Sequence, residues 1–235
     1  MRAINKLIMS ITPSDREYPP LLREIPDRPP WLYVINPIID WDNAMPIAIA
    51  GTREPTFHGI ALTRKVVKAL IDEGFKPIVT GGARGIDRIA LRVSAIYNED
   101  GVKVLPCISL SEDIYDPTIE KVSEHLCIND WRSRMSGWLV ERNRIVVGMS
   151  YALIVIEARV SNPEWYRYGV ACCGTYHAVK KAKEYERPAF IITPSQDLLK
   201  NEDIKEAYRL IVNAGAEPVE TVQELIMKLR HTVKR

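Results

Sequence analysis

From Met45 onward the chain alternates short apolar runs with amphipathic stretches, and this alternation most restricts what it can fold into. MPIAIAG, KPIVT, VKVLPCI, YALIVIEA and PAFIIT are apolar runs of strand length. Between and around them lie TRKVVKALIDEG, GARGIDRIALRVSAIY, WLVERNRIVVGMS and VACCGTYHAVKKAKEYE, which read as helices. Strands buried on both faces are continuously apolar, and strands separated by helices pair in parallel through right-handed crossovers. The pattern therefore predicts an α/β fold: a Rossmann-like, doubly wound, mostly parallel sheet with helices on both faces. Gly74 is the expected stop of the first helix. Further helices are predicted over 116–126, 203–213 and 221–230.

The chain before Met45 has a different texture. Residues 15–30, DREYPPLLREIPDRPP, are rich in proline and charge, with one helix-capable piece around Leu21–Ile25 that Ser14 or Asp15 would cap. WLYVIN (31–36) reads as a strand. The expected organisation is an N-terminal arm with a short helix and an entry strand (1–44) packed on the main domain (45–220), then a C-terminal helix (221–235).

Several function classes are disfavoured at once. No run of 18 apolar residues occurs, so no transmembrane helix and no membrane association is expected, and the first 15 residues lack the apolar core of a signal peptide. Cys107, Cys127, Cys172 and Cys173 show no CxxC and no zinc spacing, which fits reduced thiols in a cytoplasmic protein. His58, His125, His177 and His231 are scattered, and no GxSxG elbow marks a nucleophile. Neither a metal, a cofactor nor an enzymatic centre is expected. The formal net charge is only +2, so any anion site must come from local clustering.

In a doubly wound sheet ligands bind beyond the carboxyl ends of the strands, where the strand order reverses. The loops to watch are Gly51–Thr52–Arg53, Thr80–Arg84, Ser109–Glu112, Glu157–Arg159 and Thr193–Ser195. In TGGARGIDRIA (80–90), Gly81 and Gly82 permit a sharp turn and close approach, the Arg84–Gly85 pair adds a planar guanidinium, and a helix follows. Alone this loop is equally a tight turn and an anion cradle. Gly51–Thr52–Arg53 repeats the chemistry after the preceding strand, which favours the cradle. Asp87 falls in the first helical turn, where a carboxylate supports the helix. Neither GxxxxGK[ST] nor GxGxxG is present, against an ATPase or a nicotinamide dehydrogenase.

A third concentration is WRSRMSGWLVERNR (131–144), where Trp131 and Trp138 interleave with Arg132, Arg134, Arg142 and Arg144. Such a mixture suits stacking of unpaired bases and neutralisation of a phosphate backbone. It equally suits a helix with core tryptophans and solvated arginines, with Asn143 bonding loop backbone. Glu157 is the best-placed carboxylate at the ligand edge, and satisfying a loop or an arginine is its expected role.

Taken in order, these elements resemble one family. YPPLLREIPDRPPWLYVIN (18–36) is similar to a YP…L…I…PP…LYV entry segment, and AIAGTREPTFHG (48–59) to a G[ST]R…T.YG element, with His58 where Tyr is usual. GGARGID (81–87) matches the core signature. ERNRIVVGMSYALIVIEA (141–158), CGTYHAVKKAKEYERP (173–188) and AGAEPV (214–219) follow in the right order. The chain thus resembles the DNA-processing protein A (DprA/Smf) family from about Tyr18 to Val219. Departures include Leu139–Val140 for the usual FP, Pro194–Ser195 for PG, His177 for Thr and Asn36 for Gly. No winged-helix segment is read after Val219.

The resemblance implies an extended Rossmann fold that binds single-stranded DNA without cleaving it, dimerises, and hands strands to a RecA-type recombinase. It implies a nucleic-acid-binding set of Gly51, Thr52, Arg53, Gly81, Gly82, Arg84, Gly85, Arg142, Asn143 and Arg144, with Asp87, Glu157, Gly174 and Thr175 in support. The alternative from a different class is a nucleotide-binding sensor or a nucleotide-processing protein resembling the LOG family. Against hydrolysis, CCGTYHAV lacks that family's PGG and following Glu.

Overall fold

The computed structural model describes residues 8–35, 41–97, 107–109, 128–129, 138–160 and 174–233. Among these residues the main sheet has six strands: β3 (Ile47–Ala50), β4 (Ile78–Thr80), β5 (Cys107–Ser109), β7 (Ala152–Val155), β8 (Ala189–Ile192) and β9 (Glu217–Val219). They lie in the order β5-β4-β3-β7-β8-β9, and every pairing is parallel. From β3 the chain winds outward through β4 and β5, then returns to β7 on the other side of β3. The order therefore reverses between β3 and β7.

Side chains of successive strand residues point to opposite faces, and the two faces carry two separate cores. Ile47, Ile49, Ile78, Ile154 and Phe190 pack under α2 (Phe57–Asp72), α3 (Ile86–Ile96) and α7 (Val222–Thr232). Ala48, Val79, Leu153, Val155 and Ile191 pack under α4 (Trp138–Gly148), α5 (Gly174–Glu184) and α6 (Glu202–Ala214). Helices on both faces of a parallel sheet make the fold doubly wound and Rossmann-like, as the alternation predicts.

The arm is more than helical. β1 (Ile8–Ile11) pairs antiparallel with β2 (Leu32–Ile35), which pairs with β6 (Ile128–Asn129) in a second, three-stranded sheet. Between β1 and β2, α1 (Pro20–Glu24) places Leu22 and Ile25 in the same core as α4. Gly148 permits this approach: a β-carbon there would stand 2.7 Å from Ile25 Cδ1 and 2.8 Å from Leu22 Cδ1. The expected cap of α1 is corrected. Pro19 precedes the helix with no side-chain cap, and Pro20 opens it, where its missing N–H costs nothing. Asp15 instead accepts hydrogen bonds from Thr12, N–H at 2.6 Å and hydroxyl at 2.8 Å, closing a turn before the helix.

β1 and β9 are strands that the pattern alone does not announce. β9 is three residues long, two of them exposed, with Pro218 at its centre. As an edge strand paired, among the described residues, to β8 alone, it can accept a proline. The helix predicted over 116–126 lies outside the described residues.

Candidate functional site

The switch point between β3 and β7 brings the two predicted glycine–arginine loops together. Leaving β3, Thr52 donates its N–H to the Glu157 carbonyl beyond β7 at 2.7 Å and accepts from the Ile86 N–H at 3.1 Å. A β-carbon at Gly51 would lie 2.6 Å from Ile86 Cγ1 and 2.9 Å from the Glu157 carbonyl oxygen. Gly85 has φ +90°, and a β-carbon there would lie 2.3 Å from the Thr52 carbonyl oxygen and 2.6 Å from Arg53 Cα. GTR and GARG are thus interlocked main chain against main chain. Glycine is required at both contacts by space, and at Gly85 by conformation as well.

Several N–H groups of this double loop are used within the chain. Gly82, at φ +69°, donates to Thr80 Oγ1 at 2.9 Å. Ala83 donates to Asp87 Oδ2 at 3.3 Å, and Ile86 to Thr52. The glycines therefore set the shape, and the arginine side chains supply the positive charge. Arg53 and Arg84 are both exposed. Arg84 Nη2 meets Glu54 Oε1 at 2.8 Å, with both side chains about 70% exposed (70% and 73%). An exposed pair of this kind is worth little and exchanges partners readily.

Behind the loop lies a buried charge pair. Asp87 and Arg142 are each 7% exposed, on either side of Gly81. A β-carbon at Gly81 would stand 2.6 Å from Arg142 Nη2 and 3.0 Å from Asp87 Oδ2. Burial raises the Asp87 carboxyl from 3.8 to about 6, against the opposing pull of Arg142, the Ala83 N–H, Arg53 and the Gly81 N–H. Asp87 thus ties the loop to its helix and faces a buried guanidinium.

The remaining predicted residues divide by helix geometry. Residues two apart on a helix point in nearly opposite directions. Arg142 faces Gly81, whereas Arg144 is carried to the arm, where Nη1 donates to the Asp27 carbonyl at 2.7 Å and the side chain is 1% exposed. Arg144 is therefore not brought to the loops with Arg53 and Arg84. It joins a latch in which the Asp27 carboxylate accepts from Tyr185 at 2.5 Å and Lys181 at 3.0 Å. Burial works against the Asp27 carboxylate, but those two donors hold it below its usual range, and burial with Asp27 pushes Tyr185 upward. Asn143 Nδ2 donates to the Gly174 carbonyl at 2.8 Å and ties α4 to the start of α5, where Thr175 is buried.

Glu157 is buried and fully engaged. Its Oε1 accepts the Thr56 N–H at 3.0 Å, and Oε2 accepts the Thr56 hydroxyl at 2.5 Å. Arg159 Nε stands 3.6 Å from Oε1. Thr56 caps α2 by accepting from the Gly59 N–H at 3.0 Å, so Glu157 fills the positive end of that helix. Two participants escaped the sequence reading: Glu54, the exposed partner of Arg84, and Thr56. The second carries a readable signal, a threonine opening an amphipathic helix.

Trp131, Arg132, Arg134 and most of the Ser109–Glu112 loop lie outside the described residues, as does the side chain of Trp138. Among the described residues no three His, Cys, Asp or Glu side chains gather as a metal site, and no helix is long and apolar enough to cross a membrane.

A family model described as DNA recombination-mediator protein A matches residues 9–230. Protein Smf of Synechocystis is 31% identical over 232 residues, covering 93% of this chain and 53% of that protein. The chain spans about half the length of the curated relatives it matches. Among solved structures, DNA processing protein A from Helicobacter pylori, described as having a unique single-stranded DNA binding mode, superposes with a TM-score of 0.72 at 21% identity. The superposition covers 98% of this chain and 99% of that one. DNA processing protein A from Streptococcus pneumoniae gives 0.70 at 23% identity over 94% and 74%.

Proposed function

Because the chain belongs to the DNA recombination-mediator protein A family, we propose that its switch-point loops bind the backbone of single-stranded DNA without cleaving it. The observation that carries this reading is the pair of interlocked loops, which present Arg53 and Arg84 to solvent, with an exposed Glu54 as the competitor at Arg84. In this reading Arg53 and Arg84 contact phosphates. Gly51, Thr52, Gly81, Gly82 and Gly85 fix where those arginines stand, and Arg142 with Asp87 stiffens the loop from behind. Asn143, Gly174 and Thr175 hold α4 and α5 at the rim, and Glu157 holds α2. Arg144 belongs to the arm. The same reading includes homodimerisation and delivery of the strand to a RecA-type recombinase, for which the family membership is the support.

The internal use of the Gly82, Ala83 and Ile86 N–H groups argues against a mononucleotide as the natural ligand, because a diphosphate cradle depends on free ones. The test is a fluorescence titration with labelled single-stranded DNA, duplex DNA and free nucleotides at two salt concentrations. Single strands should bind best and weaken steeply with salt, since phosphate neutralisation releases counterions. Tight nucleotide binding with no oligonucleotide binding overturns the proposal.

A further inference from the structure

One face of α2 carries an exposed aromatic group. Phe57, its first residue, is 93% exposed. A solvated phenyl ring is unusual, because burying it would be among the larger single gains open to the chain. At 100° per residue, Phe57, Ala61, Arg64, Lys65 and Lys68 share a sector about 100° wide, opposite the buried Thr63, Val66, Val67 and Leu70. All five are exposed. Lys68 is engaged by Asp72 at 2.6 Å and lies over the Tyr97 ring. Arg64 and Lys65 take no acidic partner among the described residues. The face therefore carries an aromatic group at one end and, along its length, two cations with no acidic partner among the described residues.

That aromatic group is next to the loops. Phe57 follows Arg53 by four residues, so the two lie within about 14 Å even if the link were fully extended. From Phe57 to Lys65 the helix advances about 12 Å. A positive track beside a solvated ring is the combination that holds unpaired nucleic acid, the ring stacking a base and the cations following the phosphates.

We infer that this face of α2 continues the single-stranded DNA surface, with Phe57 as a stacking platform for one unpaired base and Arg64 and Lys65 as backbone contacts. The inference rests on the single-stranded DNA reading and adds to it a base-contacting element and a direction for the strand, away from Arg53 and down α2.

The experiment compares a labelled oligothymidylate with its abasic counterpart on the wild-type chain and on Phe57→Ala, Phe57→Tyr, Arg53→Ala and Arg64→Ala/Lys65→Ala variants. Phe57→Ala should weaken oligothymidylate binding about tenfold and leave the abasic strand unaffected, with Phe57→Tyr restoring affinity. The double variant should lower the salt slope by about 1.4 on both strands. If Phe57→Ala binds oligothymidylate like wild type while Arg53→Ala is weakened, the α2 face is not part of the surface and the loop reading stands. If the wild-type chain binds neither strand, both readings fall. A change in oligomeric state on Phe57→Ala, seen by sedimentation, would assign the face to contact between copies and overturn the inference.

Discussion

Gly85 and Thr52 meet main chain to main chain: the space a β-carbon at Gly85 would occupy ends 2.3 Å from the Thr52 carbonyl oxygen. This contact fixes the spacing of the two arginine-bearing loops more firmly than any side-chain packing would. Gly85→Ala combines strain at φ +90° with a clash against backbone that cannot rotate away. It should cost about 2–4 kcal/mol of stability in urea denaturation and weaken oligonucleotide binding even where the fold survives.

Arg84→Ala removes an exposed group held by an exposed partner, so the unfolding free energy from urea denaturation should stay within about 0.5 kcal/mol of wild type. Binding to single-stranded DNA should fall, with the salt slope reduced by about 0.7 for the lost phosphate contact. Glu54→Gln frees Arg84 from its competitor and should strengthen binding. Opposite signs from two partners of one ion pair would locate the anion at Arg84.

Arg144→Ala should behave in the reverse way. Its guanidinium is 1% exposed and bonded to the Asp27 carbonyl, so its loss strands a buried acceptor and opens space beneath the arm. A stability loss of about 2–4 kcal/mol is expected, with the salt slope unchanged in the protein that remains folded. A reduced slope at full stability would return Arg144 to the binding set.

Asp87 gives the site a pH dependence. Burial, opposed by Arg142, Arg53 and the N–H groups of Ala83 and Gly81, raises its carboxyl from 3.8 to about 6. Between about pH 4 and 6 the folded chain keeps a proton that the unfolded chain has released. This group's contribution to stability therefore falls as pH rises through that window and is level above it, by up to about 3 kcal/mol in all. Asp27 acts in the opposite sense, because its lowered carboxyl contributes stability that is lost as the solution becomes more acidic. The Asp87 component is isolated by subtracting the stability of Asp87→Asn at each pH from that of wild type. The difference should decline from pH 4 to 6, and a flat difference would remove the assignment.

The sheet was legible because IAIA, ALIV and AFII are apolar on both faces, and only a strand covered on both sides tolerates that. β9 was hidden because its register with β8, rather than its own composition, makes it a strand. The loops were legible as chemistry and not as geometry. Nothing in GTR or GARG states that Thr52 and Gly85 touch, or that Gly82 and Ala83 spend their N–H groups internally. Arg142 and Arg144 look equivalent in the string RNR, and the helical period separates them. Which of the two faces the arm depends on Asp27, 117 residues away. Phe57 stood out only once the structure left it unburied.

Glu157 occupies the start of α2, so the helix end nearest the loops already holds a resident anion. The described loop N–H groups at Gly82, Ala83 and Ile86 have donated elsewhere in the chain. Among the described residues, an isolated phosphate or sulfate there meets chiefly two solvated guanidiniums. Affinity at such an edge grows through avidity, each further contact joining a partner already tethered by the last. Small-ion contaminants should compete poorly there, and the length of a polymer, more than the charge of any one group, becomes the quantity the surface measures.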